Sequence, residues 1–572
     1  MRRLWFGTAA VMLCLVQALA GWQIARADEN AIGEKLLPKD TLLFYTIPDV
    51  SGFKEQFDKS SLGAMFRDPE FKPFLDDVKK KIEEFSQKVQ DELGVSIDEL
   101  LELPDGEITF ALMEKPARKL SVVLMVDYGD SKETVGKLLK KMHEALESEA
   151  EHSKEDVDDV EVNVFTFKDS PAENPFKTLA YFNDSSYLVF SSEVAALKEV
   201  LDRWEGDSDD TLATNDVFKY CMDRCKDESG DPTMKFFVNP IGLVQSGLNM
   251  VQAIQPQAQV GVASMFLPLL GFDKLKGWGG ASYVNTGDFD SVSKTFVYAD
   301  SPTGVLNVFQ FPATEITPPK WVSSGVSMYF GGNWNVAGAY QAIEGLVDNF
   351  QGRGALARFM DQAANAGPGI HPKKDVLDLL DGKFHVVQGV EKGDGDEPLA
   401  QKFFVALAVK DGAKAKKLLA TLAKSDGSPA ESREFNGETI YEVDLPQGDQ
   451  KVSFAVAEGH LVVTNDTVML EGMLRGTGSG TSLADSAAYK KIAKHFPAKA
   501  SMISFQKSDA QLKALYEMMK NAENQEFLEG IDLQKLPPFE VLQKYLRASG
   551  SYTIPDKKGA VMIGFQLKEG DK

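Results

Sequence analysis

Apolar residues in this chain recur with two periods, two residues and between three and four, and the switches between them mark short strands and amphipathic helices. Leu42–Ile47 is an apolar, aromatic run of strand character that Pro48-Asp49 ends. Phe53, Phe57, Leu62 and Phe66 follow at roughly helical spacing. Asp68-Pro69 predicts a further helix start, with Phe71, Phe74, Leu75, Val78, Ile82, Phe85 and Val89 as its apolar stripe. Ser96 and Glu99 make a capping box for a short helix reaching Leu101. Strands are predicted at Glu107–Met113 and Leu120–Asp127, a helix at Ser131–Glu147, and strands at Val160–Phe167, Thr178–Phe182 and Tyr187–Phe190, with Asn183-Asp184 as a hairpin turn. A helix capped by Ser192 runs to Trp204, and another begins at Asn215 or Asp216. Met234–Val238 reads as a strand, Pro240–Ile254 and Val262–Leu270 as apolar helices, and Trp278–Val284 with Ser293–Ala299 as a closing strand pair.

Residues 301–320 are rich in Pro and Thr and lack periodicity, so they read as a linker, although Val305–Phe311 has enough apolar residues to pair as a strand. Beyond them the order of elements returns. Gly325–Phe330 is a strand and Val336–Phe350 a helix, Leu380-Asp381-Gly382 echoes Pro104-Asp105-Gly106, and Leu483-Ala484-Asp485 echoes Leu212-Ala213-Thr214. Ala500–Phe505 echoes Thr233–Val238, and Ala548–Thr553 with Val561–Leu567 echoes the closing pair. The expectation is an α+β protein of two similar repeats, each a mainly antiparallel sheet with helices packed on one face, because strands come in adjacent pairs with short turns. The expected domains are a signal peptide at 1–27, a first repeat at 28–300, the linker at 301–320 and a second repeat at 321–572.

The signal-peptide reading rests on Arg2-Arg3, the apolar run Leu4–Ala20 and the Ala25-Arg26-Ala27 cleavage pattern; the alternative is an uncleaved anchor. Cys14 lacks the small-residue context of a lipoprotein start, and no later stretch reaches the length of a membrane span. Removing 1–27 leaves 59 basic against 85 acidic residues, a net charge of −26 that repels nucleic acid and anionic membrane surfaces. An extracytoplasmic chain, periplasmic or secreted, is therefore expected. Only Cys221 and Cys225 remain, which excludes a disulfide scaffold. Four apart on a helix, they are compatible with one strained bridge, a reading balanced evenly against free thiols.

Motifs of known chemistry are missing. His143, His152, His371, His385, His460 and His495 include no pair at metal-ligand spacing. His143 and His152 are expected in or beside a charged, solvated helix, and His385 and His460 in strands, facing solvent or packed. Gly331-Gly332 suggests a tight turn, and Gly476–Gly480 a flexible loop. Asp394-Gly395-Asp396-Glu397 could converge on calcium but reads first as an exposed loop. Asn183 and Asn465 open glycosylation sequons. The apolar residues at 240–272, among them Leu243, Leu248, Met250, Val251, Ile254, Val260, Val262, Met265, Phe266, Leu267, Leu269 and Leu270, exceed what one amphipathic face needs. A buried core or an interface between halves is the favoured explanation, ahead of a lipid pocket or partner groove.

Leu36-Leu37-Pro38-Lys39-Asp40-Thr41, an apolar strand, Asp49, a helix with Leu62-Gly63, and then Asp68-Pro69-Glu70 resemble the opening of a bacterial secreted family, the domain of unknown function 3352. The resemblance centres on Leu36–Phe71 and implies a bacterial extracytoplasmic protein; the family has no established activity, so it implies no catalytic residues. The expected role is non-catalytic binding or a structural part of the cell envelope. A carrier of a lipid or other apolar ligand is the alternative, and an extracytoplasmic enzyme is least favoured. No cofactor, metal site or nucleic-acid partner is expected, and the partner is left as a protein or an apolar ligand.

Overall fold

The computed structural model describes residues 32–568 apart from 79, 81–102, 116–118, 169–176, 207, 229, 255–259, 392–399, 426–428, 445–450, 477–479, 508–511, 514–515, 518–519 and 521–532. The expected leader, the Ser96–Glu99 capping box, the far end of the Phe71 stripe and the Asp394–Glu397 loop lie outside the described residues. In the first half the strands are β1 (Leu43–Ile47), β2 (Ile108–Lys115), β3 (Lys119–Asp127), β4 (Ala150–Val157), β5 (Val160–Phe167), β6 (Thr178–Asp184), β7 (Tyr187–Ser191), β8 (Met234–Val238), β9 (Leu275–Thr286) and β10 (Phe289–Ala299). In the second they are β11 (Met328–Asn333), β12 (Leu380–Glu391), β13 (Ala400–Val409), β14 (Glu431–Phe435), β15 (Glu438–Asp444), β16 (Lys451–Ala457), β17 (His460–Thr464), β18 (Met502–Gln506), β19 (Ser549–Asp556) and β20 (Gly559–Leu567).

Antiparallel pairs join all twenty strands into one sheet. From one edge the order is β4–β5–β6–β7–β3–β2–β1–β8–β9–β10. The sheet continues through the β10·β20 pair as β20–β19–β18–β11–β12–β13–β17–β16–β15–β14. That central pair runs from Phe289 opposite Leu567 to Tyr298 opposite Gly559.

The sheet has apolar side chains on both faces, which follows from strands such as β3, where Val122–Val126 is apolar at every position. One face carries Phe44, Ala111, Met113, Phe237 and Phe296 into a core that continues through Phe565, Phe505, Tyr329 and Phe404 of the second half. The intervening positions, such as Ile47, Ile108 and Leu188, build a separate cluster on the other face of the first half. Helices therefore cover both faces, not one as the strand pairing suggests. Helices α1 (Val50–Lys59) and α3 (Lys132–Leu146) sit on the second cluster, and α2 (Ser61–Phe66), which follows α1, packs Met65 and Phe66 against Phe71. Helices α4 (Val194–Leu201) and α5 (Asp216–Cys225) sit on the first. Helix α5 comes close because Gly279 has no side chain; a Cβ there would lie 2.8 Å from that of Cys221.

Strand β4 and the β14–β15 hairpin carry too few apolar residues to be read as strands. Glu151–Asp156 is exposed throughout and is held extended by pairing with β5. His152 thus stands in a strand, beside the helix that carries His143. The β6–β7 turn falls at Ser185-Ser186, two residues beyond the expected Asn183-Asp184, with Ser185 left-handed. Residues 301–320 are docked, not a free linker: Val305 N–H bonds to Leu270 O (2.9 Å) and Thr314 pairs with Ala500. Gly304–Val308 is a helical turn and not a strand. The remaining helices are α6 (Pro240–Ile254), α7 (Val260–Leu269), α8 (Val336–Gln351), α9 (Ala355–Ala366), α10 (Gly412–Ala423), α11 (Thr467–Leu474), α12 (Ala487–Ala493) and α13 (Phe539–Gln543).

The Leu36–Phe71 stretch is a joint. Leu36 and Leu37 are buried in the continuous core, and Asp49 caps α1 by accepting from Gly52 N–H at 2.7 Å. Phe71 packs with Tyr516, Leu533, Leu536 and Phe539 near the other end of the chain.

Candidate functional site

Two adjoining concavities open where β11 passes into α8. Asn335 caps α8 through Gly338 N–H (3.0 Å) and ties back to Gln310 Oε1 through its amide (2.9 Å). The residue before it, Trp334, donates from Nε1 to Val308 O at 2.8 Å, while its backbone N–H bonds to Gly382 O at 2.9 Å. Gly382 has a φ of +103°, and a Cβ there would lie 2.4 Å from Trp334 O, so the close pass requires glycine. The backbone bond to Gly382 and the indole bond to Val308 thus hold Trp334 between the strand and the 301–320 segment.

On one side of Trp334 lies a polar cleft of about 400 Å³ with Tyr340, Gln341, Glu344, Lys373, Asp378 and Lys410 on its walls. Lys373 Nζ bonds both Asp378 oxygens (3.0 and 2.9 Å) and stands 5.1 Å from the Tyr340 ring centre. Lys410 Nζ donates to Asp378 O at 3.0 Å, and the Tyr340 hydroxyl to Glu344 Oε1 at 3.2 Å. Burial, then the Glu344 charge, raises the pKa of that hydroxyl, so it stays a neutral donor. On the other side lies an apolar pocket of about 290 Å³ walled by Phe309, Phe311, Phe384 and Leu407. Trp334, Val336 and Leu380 line both. Both volumes are of the order of a small-molecule site. One offers hydrogen bonds, paired charges and an aromatic wall, the other hydrocarbon contact.

No local motif announces this site, because its walls come from four separated segments, 308–312, 333–344, 373–384 and 407–410. The nearest sequence signal was Gly331-Gly332. The pair lies within β11 and makes no turn; Gly332 lies under Phe384, where a Cβ would be 2.5 Å from the ring.

The other sequence candidates fall elsewhere. Cys221 and Cys225 are free and fully buried, and burial pushes both thiols up to about 12. Both turn inward from α5, with Cys225 Sγ 3.8 Å from Gly279 O. His143 is half-buried, against the expectation of a solvated residue, whereas His152 remains exposed as expected. Their rings are 4.7 Å apart, His143 Nε2 lies 2.6 Å from Tyr181 Oη, and His152 Nε2 lies 2.9 Å from Asn163 Oδ1. Burial, then His152, lowers the His143 pKa. His385 packs with Tyr329, Trp321 and His460, its Nδ1 2.9 Å from Tyr329 Oη. Burial first and His460 second depress its pKa to about 4. His371 caps the turn at Pro372–Val376, and His495 packs on Phe289 and Phe565. Among the described residues no three His, Cys, Asp or Glu side chains are grouped to hold a metal. The sequon amides are engaged internally: Asn183 accepts from Tyr128 Oη (2.8 Å) and Asn465 from Phe403 N–H (2.7 Å). Helices α6 and α7 are not the buried core that was favoured. Met265 is 71 % exposed, Leu269 54 % and Phe266 41 %, although Val260 is buried. No described helix is long and apolar enough to cross a membrane.

No curated protein and no solved structure matches the chain. A family model does match in the second half, away from the Leu36–Glu70 motif, and it spans the Lys373–Lys410 wall of the cleft. Residues 361–537 match the family described as Protein of unknown function (DUF3352), the family that the Leu36–Glu70 motif resembles.

Proposed function

We propose that this is an extracytoplasmic protein that binds an amphiphilic ligand and acts by holding it, not by transforming it. The observation that carries this reading is the shared wall at Trp334, Val336 and Leu380 between a polar cleft and an apolar pocket. A molecule with a polar head and a short hydrocarbon part finds both environments within one side chain's width. The cleft's walls set Lys373 and Lys410 against Glu344, Asp378 and Asp381, a formal charge of −1 that suits a neutral or zwitterionic head better than an anionic one. The apolar Leu4–Ala20 run and the Ala25-Arg26-Ala27 pattern support export, with cleavage after Ala27.

Two copies of one ten-strand unit complete the reading. Its support is the order of strands: counted from its own first strand, each half runs 4-5-6-7-3-2-1-8-9-10. Leu212 N–H bonds to Leu37 O as Leu483 N–H bonds to Val322 O, and the Pro38–Thr211 bridge has its counterpart in Ser323–Ser482.

The test is native mass spectrometry of the full chain from its own host, followed by titration with a fluorescent acyl probe. A co-purifying amphiphile, and a W334A variant that weakens probe binding by about tenfold, support the reading. An apo mass together with unchanged binding in W334A rejects it.

A further inference from the structure

We infer that α6, α7 and α8 form a face that seats the protein on the surface of an electrically neutral lipid bilayer. Residues 236–272 contain no charged side chain, in a chain that is 26 % charged. Helix α7, VGVASMFLPL, is apolar on every side, and Ser264, its one hydroxyl, bonds back to Val260 O at 3.3 Å. A helix of that composition belongs in a core or in lipid. Yet Met265, Phe266 and Leu269 stand exposed, and Val251 of α6 with them. The face continues onto α8: the Phe266 and Phe350 rings are 5.7 Å apart, and Ile343 and Phe350 are exposed as well. Apolar surface of this continuity is a docking site more often than an idle one.

The occupant is lipid and not a second copy of the chain, for two reasons. Protein interfaces anchor on Tyr, Trp and Arg and carry hydrogen bonds, whereas 236–272 contains none of those three residues. The net charge of −23 also opposes bringing two chains together. The same charge opposes anionic headgroups, which selects a neutral surface. No described helix can span a bilayer, so the contact lies in the interface plane. Helix α8 ties this face to the ligand site, since Val336 in its first turn lines both pockets while Ile343 and Phe350 lie further along it. The docking inference rests on exposure and charge alone and stands whether or not the pockets hold a ligand.

The experiment is co-sedimentation of the full chain with phosphatidylcholine vesicles and, separately, with vesicles rich in phosphatidylglycerol. The wild type sediments with the first and, at low salt, more weakly with the second. M265D and L269D each reduce the bound fraction at least about tenfold with an unchanged circular dichroism spectrum, because each places a charge where methyl groups meet hydrocarbon. M265S, which adds no charge, gives a smaller loss, and V468D, at an equally exposed site on α11, leaves binding unchanged. Absence of sedimentation, tighter binding to the anionic vesicles, or equal losses in M265D and V468D overturns the inference. So does a concentration-dependent dimer that M265D dissociates, since a second copy would then cover this face.

Discussion

The hydroxyl of Tyr545 donates to Asp68 Oδ2 at 2.7 Å, joining residues 477 positions apart. Asp68 also accepts from Glu70 N–H at 2.9 Å, and Lys535 pairs with Asp77 alongside. Together with the Phe71 cluster, these contacts form a clamp between the two ends of the described chain. The Glu70 N–H, then Tyr545, hold the Asp68 carboxyl below its usual value. A carboxyl depressed in the folded state stabilises above its unfolded pKa, and that contribution is lost as pH falls through the lower folded one. Y545F is therefore expected to lower the thermal midpoint at neutral pH, with the gap to wild type narrowing once Asp68 is protonated. A gap constant across acid pH refutes the assignment.

His385 gives a pH dependence at a different range. It is 8 % exposed, and its pKa is depressed from 6.5 to about 4 by burial and by His460. The unfolded chain takes up this proton first, so the stability it supports is complete above pH 6.5 and falls away down to about 4. The shift corresponds to roughly 3 kcal/mol. Burial also lowers the pKa of His460, in the same sense. H385Q cannot titrate and retains a polar partner for Tyr329. Urea midpoints measured from neutral pH into acid are expected to fall less in H385Q than in wild type.

How far the sequence reaches is clear from particular elements. Strand β8 and helix α6 stand at the bounds the pattern gives, Met234–Val238 and Pro240–Ile254, with Pro240 at the first helical position marking the switch between them. Strand β4 was invisible because Glu151–Asp156 buries nothing; its strand state comes from its neighbour. The β14–β15 hairpin carries a local signal, Asn436-Gly437 with both residues at positive φ, but its flanks are too polar to mark strands by pattern. The Trp334 site was out of reach for a different reason: four segments meet only after β11, β12 and β13 have paired. The 240–272 residues were recognised as too apolar for one face, but the sequence does not say whether the excess points inward or out.

The two cysteines offer a direct chemical check. Both are buried with thiols pushed up to about 12, so little thiolate is present at neutral pH and no path reaches it. A thiol-specific disulfide reagent is expected to label neither Cys221 nor Cys225 in the native chain and both after denaturation without reductant. No labelling after denaturation would show that Cys221 and Cys225 are bridged, and labelling of the native chain would show that α5 lifts from the sheet.

The pairing of β10 with β20 gives a sharper test of how the halves are joined. Gly559 opens β20 opposite Tyr298 at a φ of +144°, and a Cβ there would lie 1.8 Å from Val297 O. That oxygen belongs to the strand backbone, so relief requires β10 and β20 to part. Gly287, in the β9–β10 turn, also has positive φ (+51°), but a Cβ there meets nothing within 4 Å. G287A therefore measures left-handed strain alone, about 1 kcal/mol. G559A adds the clash and is expected to cost about 3 kcal/mol or more, as overpacking on top of strain. If β10·β20 is the structural seam between halves, G559A also separates denaturation into two transitions, whereas G287A only lowers the midpoint. Equal, small losses in the two variants would place the join between halves elsewhere, on the Asp68–Tyr545 clamp.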